Sequence, residues 1–215
     1  MKRLETAVCI VGAGPAGLVI AQRLLQAQVP CVVVERLASD VLSACAKAGM
    51  IEHRSVVALQ SHGLAGPILE HGGTNGVVEF RFDGLERVFD YAALAGGRGH
   101  FVYPQHLLVR AWADDFVARG GSLLFASEAL GFEDAGAGQR AVLHGHSQQL
   151  GPLAIGCGAI VLAAGAGCAL LPGGIETHEH VHPFRWLTTM VEMAPLGTRT
   201  IYAPHARGFA AHLRR

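Results

Sequence analysis

The start of the chain alternates short apolar runs with a glycine-rich turn and a helical repeat. Residues 7–11 are wholly apolar, which is typical of a strand buried on both faces of a parallel sheet. Residues 12–17 form the turn, and residues 18–26 continue with apolar side chains at helical spacing. A second apolar run, residues 31–34, ends in Glu35. This order predicts a βαβ unit, the usual opening of a doubly wound α/β sheet.

The middle of the chain mixes helical and strand patterns. Residues 76–91 alternate apolar and polar side chains on either side of Asp83-Gly84, which predicts an antiparallel hairpin. After Gly173-Gly174 the pattern becomes alternating and includes aromatic side chains, which predicts further β structure. The remaining expected elements are helices over residues 54–62 and 105–119, and strands over residues 122–133, 140–146 and 159–164.

The change of pattern late in the chain places a domain boundary near residue 178. Residues 1–178 are predicted to form a Rossmann-like α/β domain, with a β-hairpin insertion near residues 76–91. Residues 179–215 are predicted to begin a β-rich second domain. They are too few to support a domain of their own, so we expect this second domain to be truncated.

Composition and charge exclude several classes of partner. Hydrophobic residues make up 51% of the chain and charged residues 16%, enough apolar material for a sizeable core. Lys plus Arg and Asp plus Glu balance at 17 each, which removes the electrostatic argument for nucleic acid or an anionic membrane as a partner. The five cysteines form no CxxC pair, and no apolar run is long enough to span a bilayer. A cytoplasmic protein is expected.

The glycine turn carries the clearest chemical signal. Gly12, Gly14 and Gly17 form a G-x-G-x-x-G pattern directly after an expected strand and before an expected helix. In such a unit the glycines allow the turn, the close approach of a pyrophosphate and tight helix–strand packing. Glu35, 18 residues after Gly17, lies where a carboxylate accepts hydrogen bonds from an adenosine ribose. The motif alone leaves FAD and NAD both open.

Further segments resemble a known family in their order and spacing. The chain resembles the group A FAD-dependent aromatic hydroxylases of the 4-hydroxybenzoate 3-monooxygenase type, in their N-terminal portion. The 182–187 and 201–209 segments are the most specific, because generic Rossmann proteins lack them. The segments that carry the resemblance are residues 8–18 (VCIVGAGPAGL), 33–36 (VVER), 47–49 (KAG), 52–54 (EHR), 102–105 (VYPQ), 182–187 (HPFRWL) and 201–209 (IYAPHARGF).

The resemblance implies a fold, an activity and a set of small-molecule partners. The fold would be a Rossmann-like FAD-binding domain followed by a truncated β-rich substrate domain. The activity would be hydroxylation of a phenolic aromatic acid such as 4-hydroxybenzoate, with FAD as cofactor and NADPH or NADH and O₂ as co-substrates. This chemistry delivers an electrophilic oxygen, so the ring must be made electron-rich by removal of its phenolic proton. A homodimer is a further possibility that the sequence leaves open.

Site residues follow from the resemblance position by position. For the substrate, Tyr202 would receive the phenolic proton, Arg215 would bind the carboxylate, and Leu213 stands where the family has a serine that touches that carboxylate. Arg36 would either reach the phosphate of the nicotinamide cofactor or cap a solvated strand end. For FAD, the residues are Gly12, Gly14, Ala16 and Gly17 at the pyrophosphate, Glu35 at the ribose, Cys45, Lys47, Ala48 and Gly49 in a loop around the cofactor, and Gln105 on the flavin side.

Three departures from the family pattern limit the prediction. Lys47 replaces an arginine, Ala164 replaces an acid that helps to hold the cofactors, and the sequence ends at Arg215 where the family continues. We therefore expect this chain to have no hydroxylase activity by itself. A non-catalytic nucleotide-binding remnant of the fold is the alternative, and an FAD or NAD oxidoreductase of unrelated chemistry is a weaker one.

One histidine cluster could be taken for a metal site. His178, His180 and His182 would share one face of a strand. No cysteine or carboxylate accompanies them at a recognisable ligand spacing, so a polar strand face is the favoured interpretation and no metal is expected.

Overall fold

The computed structural model describes residues 1–44, 49–133, 136, 140–166, 168, 170–189, 191–194, 197 and 199–213. The helices in this part are α1 (Pro15–Gln26), α2 (Ser39–Ala44), α3 (His53–Gln60), α4 (Gly66–His71), α5 (Tyr91–Leu94) and α6 (Gln105–Ala118). The strands are β1 (Lys2–Glu5), β2 (Val8–Val11), β3 (Cys31–Val34), β4 (Met50–Ile51), β5 (Gly73–Asn75), β6 (Val77–Phe82), β7 (Leu85–Asp90), β8 (His100–Val102), β9 (Ser122–Leu124), β10 (Ser127–Glu133), β11 (Ala141–Ser147), β12 (Gly151–Cys157), β13 (Ala159–Leu162), β14 (Thr200–His205) and β15 (Gly208–His212).

A four-stranded parallel sheet forms the centre of the first compact unit, which comprises residues 1–74 and the described part of 100–170. Its strand order is β13-β2-β3-β9. β2, α1 and β3 are the predicted βαβ unit, and the predicted α/β fold class is confirmed. Among the described residues, no helix is both long and apolar enough to cross a membrane.

Side-chain alternation explains why the strands of this sheet are apolar throughout. Ile10 and Val33 point to one face and pack in a core with residues of α1 and α6. Cys9, Val32 and Val34 point to the other face and pack against residues of β11 and β12. Because both faces are covered, each position along these strands must be apolar.

A second sheet covers the face opposite the helices. Its order is β1-β12-β11-β10; β11 runs antiparallel to both β10 and β12, and β1 pairs in parallel with β12. The sequence predicted one strand over residues 122–133, but the chain turns at Ala126, which has a φ of 47°. The turn sends β9 into the parallel sheet and β10 into the second sheet. One expected strand therefore contributes to two layers.

A buried glutamine fixes α1 against α6. The Gln22 Nε2 donates hydrogen bonds to the Trp112 carbonyl at 3.0 Å and to the Asp115 carboxylate at 2.8 Å. The Gln22 Oε1 accepts a hydrogen bond from Arg119 at 3.0 Å. Gln22 is fully buried and all its bonds bridge the two helices, so it sets the position of both relative to the sheet.

The second compact unit comprises residues 75–99 and the described part of 171–214. Its four-stranded sheet has the order β15-β14-β6-β7. β6 and β7 are the expected hairpin, and Asp83 and Gly84 form its two-residue turn with φ values of 49° and 73°. Positive φ at both turn positions matches the right-handed twist of the strands, so the hairpin turn predicted at Asp83-Gly84 is confirmed.

The structure groups two segments differently from the sequence analysis. The hairpin was expected within the first domain, but β6 pairs in parallel with β14, so residues 75–99 join the second unit. The second compact unit resumes at residue 171, whereas the sequence places the domain boundary near residue 178. The expectation of a strand through His178–His182, Phe184 and Trp186 was wrong, because the described residues between 171 and 199 form neither helix nor strand.

Candidate functional site

Two glycines of the turn are required by close packing within the first unit. Gly12 has a φ of 105°, and a Cβ at this position would lie 2.6 Å from the Ala163 carbonyl oxygen. A Cβ on Gly17 would lie 1.9 Å from the Gly12 carbonyl oxygen. These positions let β2, the start of α1 and the segment after β13 approach at backbone distance. Larger side chains at either residue would disrupt the fold.

Gly14 is different, because the space in front of it is open. A Cβ built on Gly14 would meet no atom within 4 Å. Gly14 is the N-cap of α1, no side chain caps this helix end, and Pro15 follows without an N–H of its own. The N–H groups of Gly14, Ala16 and Gly17 form no hydrogen bond with the described residues. Unpaired N–H groups and open space at the positive end of a helix fit a pyrophosphate.

Glu35 connects the second strand of the βαβ unit to the glycine turn. Its carboxylate is buried, and Oε2 accepts a hydrogen bond from the Ala13 N–H at 2.7 Å. Oε1 accepts one from the Leu37 N–H at 2.8 Å. Each carboxylate oxygen has a second lone pair, so a ribose hydroxyl can still be accepted. The sequence predicted the ribose contact but missed the second role, which is to hold the turn at Ala13.

Ala164 lies beside the glycine turn, as an acid at the cofactor would. It follows β13, it is exposed, and its Cα would lie 3.0 Å from a Cβ on Gly12. The strand β13 is paired with β2, so the two turns leave the sheet at the same edge. A carboxylate at position 164 would therefore face the same space as the turn, whereas the alanine methyl offers no charge or hydrogen bond.

The other described cofactor candidates in the first unit are less constrained. Arg36 is exposed and forms no ion pair with a described residue, so both interpretations of it remain open. Gln105 is half-buried and is the first residue of α6. Its neighbour His106 has a buried Nδ1 without a hydrogen-bond partner. Gly49 is buried and its carbonyl accepts a hydrogen bond from the Tyr103 N–H at 2.8 Å.

Tyr202 lies on β14 in the second unit, between two phenylalanine rings. Its ring centroid is 5.6 Å from that of Phe80 on β6 and 5.6 Å from that of Phe209 on β15, with which it is stacked. The Tyr202 side chain is half-buried, and its hydroxyl has no hydrogen-bond partner among the described residues. The two rings orient the phenol and leave its hydroxyl available to a ligand.

The remaining sequence-predicted residues divide between the second unit and the undescribed positions. Leu213 lies one residue beyond β15 and its side chain is exposed. Cys45, Lys47, Ala48 and Arg215 lie outside the described residues. The sequence analysis missed Phe80 and Phe209 as neighbours of Tyr202. The period-two pattern of the hairpin indicates which residues share a face, but it does not reveal the parallel pairing of β6 with β14.

The histidine cluster does not form a metal site in the described part of the chain. There, no three His, Cys, Asp or Glu side chains come together in a way that could hold a metal ion. His180 and His182 instead contact each other through their rings, with centroids 4.7 Å apart. His182 stacks on Phe184 at 5.2 Å, so these imidazoles are part of a run of aromatic contacts.

Comparison with known proteins agrees with this geometry. The sequence profile of the family described as "FAD binding domain" matches residues 5–213. The chain is 28% identical over 219 aligned positions to p-hydroxybenzoate hydroxylase from Acinetobacter baylyi, covering 98% of this chain and 52% of that protein. It is 32% identical to pentachlorophenol 4-monooxygenase from Sphingobium chlorophenolicum over 43% of this chain and 17% of that protein. The chain thus spans about half the length, or less, of these relatives.

Several solved structures share the fold of this chain. p-Nitrophenol 4-monooxygenase from Pseudomonas putida superposes with a TM-score of 0.67 at 19% identity, over 77% of this chain and 42% of that one. A flavin-dependent monooxygenase solved in complex with FAD and substrate superposes with a TM-score of 0.66 at 22% identity, over 76% of this chain and 31% of that one. The chain therefore belongs to the family described as FAD binding domain.

Proposed function

We propose that this chain is the cofactor-binding and phenol-binding part of an FAD-dependent monooxygenase that hydroxylates a phenolic ring, with NADH or NADPH and O₂ as co-substrates. The observation that carries the proposal is the open, uncapped turn at Gly14, held by Glu35 through the Ala13 N–H. An aromatic acid such as 4-hydroxybenzoate is the first substrate to test, because the relative that matches 98% of this chain is a p-hydroxybenzoate hydroxylase.

The first unit supplies the binding of the cofactor. The N–H groups of Gly14, Ala16 and Gly17 hold the pyrophosphate, and the second lone pairs of the Glu35 carboxylate accept the ribose hydroxyls. A free 2′-hydroxyl suits this carboxylate, whereas a 2′-phosphate would be repelled by it. When bound, FAD supplies the activated oxygen that enters the ring.

The second unit supplies the phenol-binding group. The Tyr202 hydroxyl relays the proton of the substrate phenol: its oxygen accepts that proton while its own proton passes to solvent, and the resulting phenolate ring is electron-rich and ready for an electrophilic oxygen. Phe80 and Phe209 keep the tyrosine ring in place and exclude water from two of its sides. This role is supported by the unpaired hydroxyl and by the resemblance of the 201–209 segment.

The proposal is tested by flavin and phenol binding measured on one sample. The chain is mixed with FAD and desalted, and its absorbance spectrum gives the flavin stoichiometry. A phenol such as 4-hydroxybenzoate is then titrated while protein fluorescence is recorded. We expect about one flavin per chain and a saturable phenol signal that Tyr202→Phe weakens and Tyr103→Phe does not. Absence of retained flavin, or equal phenol binding by both variants, would contradict the proposal.

A non-catalytic remnant of the fold is the second candidate, because Ala164 removes a carboxylate from the edge of the cofactor site. The remnant and the monooxygenase predict different phenol binding in the same experiment. A remnant retains flavin or another nucleotide, but no phenol perturbs its fluorescence through Tyr202.

A further inference from the structure

The strand β1 lies at one end of the second sheet of the first unit. Among the described strands it pairs only with β12, in parallel. The Thr6 N–H donates to the Gly156 carbonyl, and in a parallel ladder this bond fixes the direction of each backbone group in β1. The N–H and C=O of Leu4 point to β12, whereas those of Arg3 and Glu5 point away from it. β1 therefore presents two residues whose backbone can pair with a further strand.

This outer side of β1 lies at the protein surface. Lys2, Arg3 and Glu5 are exposed, and the N–H groups of Arg3 and Glu5 form no hydrogen bond with a described residue. The Glu5 carboxylate contacts Arg140 through Oε2 at 2.9 Å, and its side chain is 71% exposed. Its second oxygen can therefore accept from another cation.

The side chains of β1 alternate between the core and the outer surface of the sheet. Leu4 packs against the apolar core between this sheet and the parallel sheet. Successive residues of a strand point to opposite sides, so Arg3 and Glu5 share the outer side. The strand thus carries a cation and an anion two residues apart on one side, with an apolar residue between them on the other.

A second copy of β1 matches this strand in one antiparallel register. With Leu4 opposite Leu4 of the second copy, Arg3 lies opposite Glu5 and Glu5 opposite Arg3, and each pair can exchange both of its backbone hydrogen bonds. Opposite residues must share a side of the sheet, so the two neighbouring registers place either Arg3 opposite Arg3 or Glu5 opposite Glu5. Like charges directly opposite are destabilising, and charge therefore selects the first register.

The same register gives Leu4 an apolar contact. Leu4 lines a groove together with Leu25, Val29 and Val32. Directly opposite side chains lie on the same side of a sheet with their Cβ atoms about 5 Å apart, so Leu4 of the second copy lies beside this groove. Transfer of its apolar surface from water to the groove favours the pairing.

We propose that β1 is a dimerisation strand, through which two copies of this chain pair in antiparallel with Arg3 opposite Glu5. The pairing joins two four-stranded sheets into one continuous sheet. The interface is isologous, because each copy contributes the same residues. It uses residues of the first unit only, and it does not depend on the proposed function.

Charge reversal tests the register by sedimentation velocity. The parent chain carries Val181→Glu and Leu187→Glu, because these exposed side chains of the second unit are a separate source of association. We expect this parent to dimerise, and Arg3→Glu or Glu5→Lys to weaken the dimer about tenfold, since like charges then face each other. An equimolar mixture of the two variants should recover the parental affinity, because each chain supplies the charge that the other lacks.

Lys2→Glu is the matched control, because it makes the same change of charge on the same strand. Lys2 lies opposite Thr6 in the proposed register, so the dimer should keep its affinity within about twofold. A parent that stays monomeric, a mixture that associates as weakly as each variant alone, or an equal loss in Lys2→Glu and Arg3→Glu would overturn the proposal.

Amide hydrogen exchange on the unsubstituted chain gives a second measurement that requires no variant. In the dimer the Arg3 and Glu5 N–H groups donate to the second copy, so their exchange should slow by about tenfold or more as protein concentration rises. The Arg36 N–H is the control, because it also forms no hydrogen bond with a described residue and lies outside β1. Exchange at Arg3 and Glu5 that is independent of concentration would also overturn the proposal.

Discussion

At the scale of single residues, the three glycines of the turn have separate physical roles. Gly12 and Gly17 are needed by the protein itself, because a Cβ on either would collide with backbone oxygen atoms. Gly14 has no such neighbour, so the fold alone does not explain the absence of a side chain there. Space kept free by a glycine at an uncapped helix N-terminus is explained by a ligand that approaches the backbone.

A substitution at Ala164 tests the cofactor site by an expected increase in FAD affinity. Ala164→Asp should increase FAD affinity by about 1–2 kcal/mol if a charged hydrogen bond to the cofactor is formed. The residue is exposed and lies beside Gly12, so the new carboxylate is accommodated without repacking. Calorimetric titration with FAD measures the change. Ala164→Asn is the control of equal size and should gain less, while a loss of affinity in Ala164→Asp would show that this edge does not face the cofactor.

At the residue level, the sequence specifies geometry that a local motif sets, but not contacts between segments that are distant in the chain. The pattern around Gly12 to Gly17 and Glu35 specified the turn, because its spacing reflects a local unit. It did not indicate that the Glu35 carboxylate accepts from the Ala13 N–H, which depends on how β3 ends relative to the turn. Phe80, one neighbour of Tyr202, comes from β6, and pairing between strands more than a hundred residues apart has no local signature.

At the scale of secondary-structure elements, apolar periodicity gave the strands and helices but not the breaks between sheets. The expected helix over residues 105–119 is α6, and the expected hairpin is β6–β7. β9 and β10 could not be separated from the sequence, because an alanine with positive φ is an unusual turn residue. The aromatic residues between 178 and 187 alternate as a strand would, but they form no strand; their rings pack against one another, and Trp186 packs against Phe209 of β15.

Cys9 on β2 is expected to make the stability of the first unit depend on pH in the alkaline range. Burial raises the pKa of Cys9 to about 12, and it also raises the pKa of the Cys31 and Cys157 thiols. An unfolded thiol ionises near pH 9, so the unfolded state releases protons first above that value. The contribution of the neutral thiol to stability is therefore complete below pH 9 and is lost as the pH rises towards 12.

Urea unfolding at several pH values measures this effect. We expect the free energy of unfolding to fall from pH 8 to pH 10.5, and to fall less steeply in Cys9→Ala. Cys168, which is only half-buried, serves as the control, because Cys168→Ala should leave the slope unchanged. Equal slopes for the wild type and Cys9→Ala would show that the Cys9 thiol does not contribute.

At the scale of the whole molecule, the two units differ in how completely their apolar side chains are covered. The first unit has two cores, one on each face of the parallel sheet. In the second unit several large apolar side chains are mostly exposed, among them Val181, Trp186, Leu187 and Val191. Exposed apolar groups of this number promote contact with another polypeptide.

Self-association is the consequence that can be measured for the chain as given. Sedimentation velocity should show concentration-dependent assembly, and Val181→Glu with Leu187→Glu should reduce it, because the charges would be desolvated in any apolar contact. Leu130→Glu is the control, since Leu130 is an exposed apolar side chain on β10 of the first unit. A monomer at all concentrations, or an equal effect of the control, would contradict this expectation.

The central claim is that FAD binds at the open turn, and Gly14→Val tests it most directly. A Cβ at Gly14 meets no atom of the described residues within 4 Å, so the variant should fold normally, with an unchanged urea midpoint and circular dichroism spectrum. The same side chain fills the space of the pyrophosphate, so the flavin absorbance retained after desalting should fall from about one per chain to almost none. Gly131→Val is the matched control, because Gly131 on β10 also has no neighbour within 4 Å and lies outside the turn. Folded Gly14→Val that retains flavin as the wild type does would contradict the account.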